Sequence, residues 1–187
     1  MFINPFTKVL FICFCGFFLS LSAPGYDLWF IAWIGLSPLF IIINSTRSKR
    51  EIVFLSFLFG FSYNFWYLHW LFSLHPLNWL GFSNSQSLLI SSLSLIFVAA
   101  YNSLFFLLFA LCLIWFKRNS IYPYNKGILS LLITAFIWLI IFNKIQTFKW
   151  LLGFPWTLIE YSQYKNLYLI QIAEYFGSIS VSFLIVF

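Results

Sequence analysis

SLLISSLSLIFVAAYNSLFFLLFALCLIWF, residues 87–116, decides what kind of protein this is. The run holds no Asp, Glu, Lys or Arg. About 20 apolar residues in a helix suffice to cross the hydrocarbon core of a bilayer. As a helix this stretch measures about 44 Å at 1.5 Å per residue, so it must tilt or protrude. Its serine-rich start, Ser91-Ser92-Leu93-Ser94, suits close approach of a neighbouring helix.

The rest of the chain is of the same kind. Hydrophobic residues make up 63% of it and charged residues 7%, with mean hydropathy +0.96. A soluble domain carries roughly a quarter charged residues. Too few polar groups are present to cover a folded surface, so lipid is the main solvent. There the backbone must be satisfied inside helices or a closed barrel. Unbroken apolar runs, rather than alternation over roughly ten residues, favour helices. The fold class is all-α: a polytopic transmembrane helix bundle of about six spans. They are expected at 6–21, 28–43, 52–74, 87–116, 128–142 and 167–187. Residues 1–187 read as one membrane domain, leaving no stretch for a soluble domain of roughly 100 residues. The first run resembles a signal peptide, with Lys8 before it and Ser20-Leu21-Ser22-Ala23 after it. Pro24 follows at once and disfavours cleavage, so an uncleaved helix is expected.

The net charge of +6 has its explanation in topology, not in nucleic acid, which is excluded as a partner. Lys8, Arg47, Lys49, Arg50, Lys117, Arg118 and Lys126 fall in alternate connections, while 23–27 and 75–86 carry no Lys or Arg. Basic loops stay in the cytoplasm. The N-terminus is therefore expected in the cytoplasm and segment 143–166 outside. Lys144, Lys149 and Lys165 are discordant there. That segment reads as interfacial or re-entrant, or equally as a simple external loop.

Reactive groups are scarce. No Walker loop, G-x-G-x-x-G, G-x-S-x-G or H-E-x-x-H occurs. Cys13, Cys15 and Cys112 lie in apolar runs and read as buried small hydrophobes. His69 and His75 are too isolated for a metal site and read as interfacial. Glu51, beside Arg50, is expected to be solvated. Glu174 falls within the sixth expected span, where an acid is a functional candidate unless it reaches the interface. Catalytic, metal and cofactor residues are assigned to none of these positions. Trp156, Glu160, Tyr161 and Gln163 are the candidate substrate-binding residues, as an aromatic, carboxylate and amide set at a lipid interface.

Four stretches carry a resemblance. They are Ala23-Pro24-Gly25-Tyr26-Asp27-Leu28-Trp29 running on to Pro38-Leu39, and Trp70-Leu71-Phe72-Ser73-Leu74-His75-Pro76-Leu77-Asn78-Trp79-Leu80-Gly81. The third is Gly153-Phe154-Pro155-Trp156 followed by Tyr161-Ser162-Gln163, and the last is Gln171-Ile172-Ala173-Glu174-Tyr175-Phe176-Gly177. In this order they resemble the membrane part of apolipoprotein N-acyltransferases, closest to cyanobacterial forms. Glu160 departs from the pattern, which usually has glycine before Y-S-Q. The resemblance implies transfer of an acyl chain from phospholipid to the N-terminal cysteine amine of lipoproteins, in a bacterial inner membrane. It also implies that a nitrilase-like domain outside residues 1–187 carries the chemistry through a Cys thioester, leaving these residues inactive alone. Membrane lipids, and phospholipid and lipoprotein substrates, are the implied partners. The alternative is a non-enzymatic membrane scaffold or small transporter, although no inverted repeat is evident.

Overall fold

The computed structural model describes residues 4–118, 127–148, 151–152 and 154–187. Lys126, Lys149 and Gly153, which carry topology or motif readings above, lie outside the described residues. The described residues form helices and no strand.

Helix α1 spans Pro5–Ser20. Asn4 caps it by accepting from the Phe6 amide at 3.2 Å, and Pro5 takes the first turn, where its missing N–H costs nothing. The second apolar run is broken rather than continuous. A 3-10 turn at Trp29–Ile31 leads into α2 (Ala32–Gly35) and α3 (Ser37–Ser45), with Pro38 in the first turn of α3.

Helix α4 (Lys49–Tyr67) is capped by Ser48 on the Glu51 amide. It stops at Tyr67, and 3-10 turns at His69–Leu74 and Asn78–Leu80 follow where the sequence suggested helix to residue 74. Helix α5 (Asn84–Arg118) opens on a reciprocal capping box. The Ser83 amide donates to Gln86 Oε1 at 3.0 Å, and the Gln86 amide faces Ser83 Oγ at 3.4 Å. Helix α6 (Gly127–Trp138) continues as a π-helix over Leu139–Ile145, past the expected end at Phe142. Among the described residues, two helical segments, Asn84–Arg118 and Gly127–Ile145, are long and apolar enough to cross a membrane.

The stretch expected as a sixth span is three short helices: α7 (Leu167–Ile170), α8 (Ile172–Phe176) and α9 (Ile179–Val186). Gly177 takes φ 75°, a backbone conformation that breaks the helical ladder between α8 and α9. Within these residues α9 covers 8 residues, about 12 Å. Glu174 therefore lies on an exposed turn of α8 and not inside a continuous span.

Helix α4 is the centre, packed against α5 on one side and α1 on the other. Close approach depends on two glycines. A Cβ on Gly16 would sit 2.4 Å from the Phe59 carbonyl oxygen, and one on Gly60 would sit 2.6 Å from the Phe106 ring. Ser62 Oγ donates to the Cys13 carbonyl at 2.6 Å across the same α1–α4 seam. On the α5 side, Phe59, Phe106, Phe109, Trp138 and Phe142 build an aromatic core. Phe106 and Phe142 meet edge-on at 4.8 Å, and Trp138 stacks on Phe142 at 3.9 Å. Outward, Phe6, Phe11, Phe14, Leu89, Phe97 and Phe136 are more than half exposed. So broad an apolar exterior suits contact with lipid rather than water.

Candidate functional site

The segment that carries the candidate residues, 154–163, is two 3-10 turns, Pro155–Thr157 and Ile159–Gln163. Short 3-10 turns leave carbonyls and amides without ladder partners, so such a segment can be buried only among polar side chains. Three helices supply them.

Asn64 of α4 and Asn102 of α5 lie inside apolar runs and are 0% and 1% exposed. Gln146, just past the π-helix, is 1% exposed. Thr157 Oγ1 donates to Asn64 Oδ1 at 2.7 Å, and Tyr63 Oη donates to the Thr157 carbonyl at 2.9 Å. Asn102 Nδ2 and Gln146 Nε2 both reach the Phe154 carbonyl at 3.4 Å, and Gln146 Nε2 also faces Asn102 Oδ1 at 3.3 Å. The segment is thus a plug set into the bundle, not a free external loop.

The structure separates the four candidate residues into two pairs. Glu160 is 5% exposed and turned inward. Its carboxylate accepts from Asn143 Nδ2 at 2.7 Å and from Ser182 Oγ, tying the segment to the π-helix and to α9. Burial raises the Glu160 pKa above the usual carboxylate range, against the lowering pull of its hydrogen bonds to Ser182, its own backbone and Asn143. Gln163 is 0% exposed; Nε2 donates to the Trp29 carbonyl at 3.0 Å and Oε1 faces Trp33 Nε1 at 3.4 Å. These two side chains hold the segment from beneath.

Trp156 and Tyr161 are the exposed pair, at 43% and 39%. They line an open cavity of about 450 Å³ with Pro24, Tyr26, His69 and Trp70. Trp156 meets Trp70 at 5.7 Å with the rings at 63°, and Tyr26 lies 5.8 Å from the His69 ring. Tyr67 also borders this cavity, and its buried hydroxyl has no hydrogen-bond partner in the structure. The cavity is apolar enough to take hydrocarbon and carries hydroxyl and imidazole groups at its edge.

Beside it, Asp27 accepts from Lys165 Nζ at 2.5 Å and from Tyr164 Oη at 2.6 Å. Lys165, first, and Tyr164 hold the Asp27 carboxyl below its usual range, and Asp27 holds the Lys165 ammonium above its own. Lys165 is therefore tied to this rim, whereas Lys144 is exposed elsewhere. Glu51, expected to be solvated, is part-exposed and pairs with Lys8 at 2.6 Å. His75 faces Ser87 Oγ at 2.8 Å. Cys13, Cys15 and Cys112 are free thiols. Among the described residues no three His, Cys, Asp or Glu side chains gather as a metal site.

Sequence reasoning overlooked Asn64, Asn102, Asn143, Gln146, Thr157 and Ser182. The signal for two of them was present: Asn64 and Asn102 interrupt apolar runs, and polar groups there need partners.

Comparison with known proteins places the chain in a family. A family model described as Apolipoprotein N-acyltransferase N-terminal domain matches residues 15–187. The apolipoprotein N-acyltransferase of Nostoc sp. is 28% identical over 165 residues, covering 85% of this chain and 31% of the relative. That of Prochlorococcus marinus is 34% identical over 88 residues, covering 47% of this chain and 16% of the relative. The chain thus spans less than a third of the length of these relatives. The family match runs from inside α1 to the end of α9 and takes in the buried plug, so the chain belongs to the apolipoprotein N-acyltransferase family, in its N-terminal domain.

Proposed function

We propose that residues 1–187 form one membrane domain of an enzyme that moves an acyl chain from phospholipid to the N-terminal amine of lipoproteins. It lies in a bacterial inner membrane, crossing about six times from a cytoplasmic N-terminus. Helix α9 supplies the part of the sixth crossing that lies within these residues.

Two groups of contacts support this topology. At one end Lys8 meets Glu51, and Lys117 Nζ meets Asn44 Oδ1 at 2.5 Å. At the other end Asp27 meets Lys165, and Trp70 meets Trp156. The connections read as cytoplasmic thus meet one another, as do those read as external.

The domain's task is to anchor the catalytic part and to receive lipid chains sideways from the bilayer at the outer rim. One observation carries this. The 154–163 segment is fixed from beneath by Glu160 and Gln163 while Trp156 and Tyr161 face the aromatic cavity. Acyl transfer itself requires a nucleophile with a nearby base. That chemistry is assigned to residues beyond this chain, so 1–187 alone form no acyl-enzyme.

The test is a chimera in which 1–187 replace the corresponding front part of a full-length relative. The chimera should restore N-acylation of lipoproteins in cells depleted of the enzyme. Trp156→Ala with Tyr161→Ala should lower it at unchanged protein level. Full N-acylation by the double variant would overturn the assigned role of the cavity. Acyl-enzyme formation by 1–187 alone would overturn the division of labour.

A further inference from the structure

At the end of the bundle opposite the aromatic cavity, a groove of about 650 Å³ opens between α1, α3 and α4. Its floor is apolar, with Phe11 from α1, Ile41 from α3 and Leu55 from α4. Phe11 and Ile41 are 57% and 62% exposed, so none of the described residues covers them. Its mouth is polar and basic, with Lys8, Ser45 and Arg47.

The charges at the mouth are unbalanced. Glu51 is the acid among the lining residues, and Lys8 occupies it at 2.6 Å. Arg47 is exposed and takes part in neither of the two ion pairs formed among the described residues. Lys49 and Arg50 follow within three positions and are exposed as well. The mouth therefore offers one uncompensated guanidinium backed by further positive charge. A guanidinium fork matches two phosphate oxygens at once.

We infer that this groove binds an anionic phospholipid, with its phosphodiester at Lys8 and Arg47 and an acyl chain along Phe11, Ile41 and Leu55. Both halves of the groove call for that ligand. A free phosphate satisfies the mouth and leaves the floor bare. A zwitterionic lipid covers the floor but brings a cation to a cationic mouth. Basic pockets between membrane helices recognise anionic headgroups by the same chemistry. The site goes beyond the proposed acyl-transfer role. It is separate from the Trp156–Tyr161 cavity and does not depend on which membrane face this end occupies.

The experiment uses the purified full chain in a neutral detergent. Phosphatidylglycerol, phosphatidylcholine with the same acyl chains, and inorganic phosphate are each titrated while thermal unfolding is followed. Phosphatidylglycerol should raise the midpoint saturably, with the other two giving little. Arg47→Gln should weaken the apparent affinity for phosphatidylglycerol by about 5-fold or more, as for one lost charge at a membrane surface. Lys144→Gln, remote from the groove, should leave it unchanged. Equal stabilisation by phosphatidylcholine would show solvation by any lipid and overturn the proposal. Equal stabilisation by inorganic phosphate would overturn the lipid assignment. An Arg47→Gln protein that binds like the parent would overturn the site.

Discussion

Thr157 Oγ1 donates a 2.7 Å hydrogen bond to Asn64 Oδ1, joining two buried side chains 93 positions apart. Tyr63, the neighbour of Asn64, adds a second bond to the Thr157 carbonyl. Together they seat the 154–163 segment on α4.

Removing either partner strands the other. Thr157→Val leaves Asn64 Oδ1 buried without a donor, and Asn64→Ala removes the acceptor. Each should destabilise by about 1–3 kcal/mol. Pairs of this kind in membrane bundles couple by about 0.6 kcal/mol on average. Reversible unfolding in mixed micelles, run as a double-mutant cycle, reads both quantities. Additive losses would mean that the two side chains act independently.

Glu160 should make stability fall with rising pH. Burial raises its pKa in the folded protein, so the folded state holds the proton where the unfolded chain has released it. Stability is greatest below the usual carboxylate range and declines as pH rises through it toward the raised value. A carboxamide can still accept from Asn143 and donate to Ser182. Glu160→Gln should therefore flatten the pH dependence and unfold later than the parent at neutral pH. Thermal midpoints across pH 4 to 9 provide the comparison, on the scale of about 1.4 kcal/mol per unit of pKa difference. A parallel pair of curves would remove Glu160 as the titrating group.

The α1–α4 seam should tolerate no methyl group at Gly16. Its Cβ would meet the Phe59 carbonyl oxygen, a backbone atom that cannot rotate away. Gly60→Ala meets the Phe106 ring inside the aromatic core. Overpacking costs about 1–3 kcal/mol, and both variants should show it. Gly127→Ala has open space around it and serves as the control. Ordinary thermal stability in Gly16→Ala would mean the two helices are not this close.

Asp27 and Lys165 should lie on the outer face and Lys49 on the inner one. In a background lacking Cys13, Cys15 and Cys112, single cysteines at 165 and 49 report this. A membrane-impermeant maleimide should label Lys165→Cys in intact spheroplasts, and Lys49→Cys only after permeabilisation. The reverse pattern would invert the topology. The Asp27–Lys165 contact itself is exposed and should weaken with salt. It is lost as pH falls through the depressed Asp27 value, or rises through the raised Lys165 value.

The candidate segment was legible in one dimension, but the directions of its side chains were not. Phe154-Pro155-Trp156 and Tyr161-Ser162-Gln163 singled out the candidate segment, and Trp156 and Tyr161 are its exposed pair. The same reading set Glu160 and Gln163 at the surface beside them, yet both point into the bundle. Four adjacent polar and aromatic residues in a segment of 3-10 turns have no simple period that sorts inside from outside. Their directions depend on partners far along the chain, Asn143 and Ser182 for Glu160, Trp29 and Trp33 for Gln163.

The sequence by itself determined the helical class, the places of α1, α4, α5 and α6, and the family resemblance. Long uncharged runs leave a backbone in lipid few options, and that constraint is local. Only the tertiary structure decided that 154–163 is a plug and that 167–187 breaks at Gly177. It also gave Asn64, Asn102 and Gln146 a common purpose. Those outcomes arise from buried polar groups finding partners across dozens of residues, a requirement that composition announces but cannot address to particular atoms.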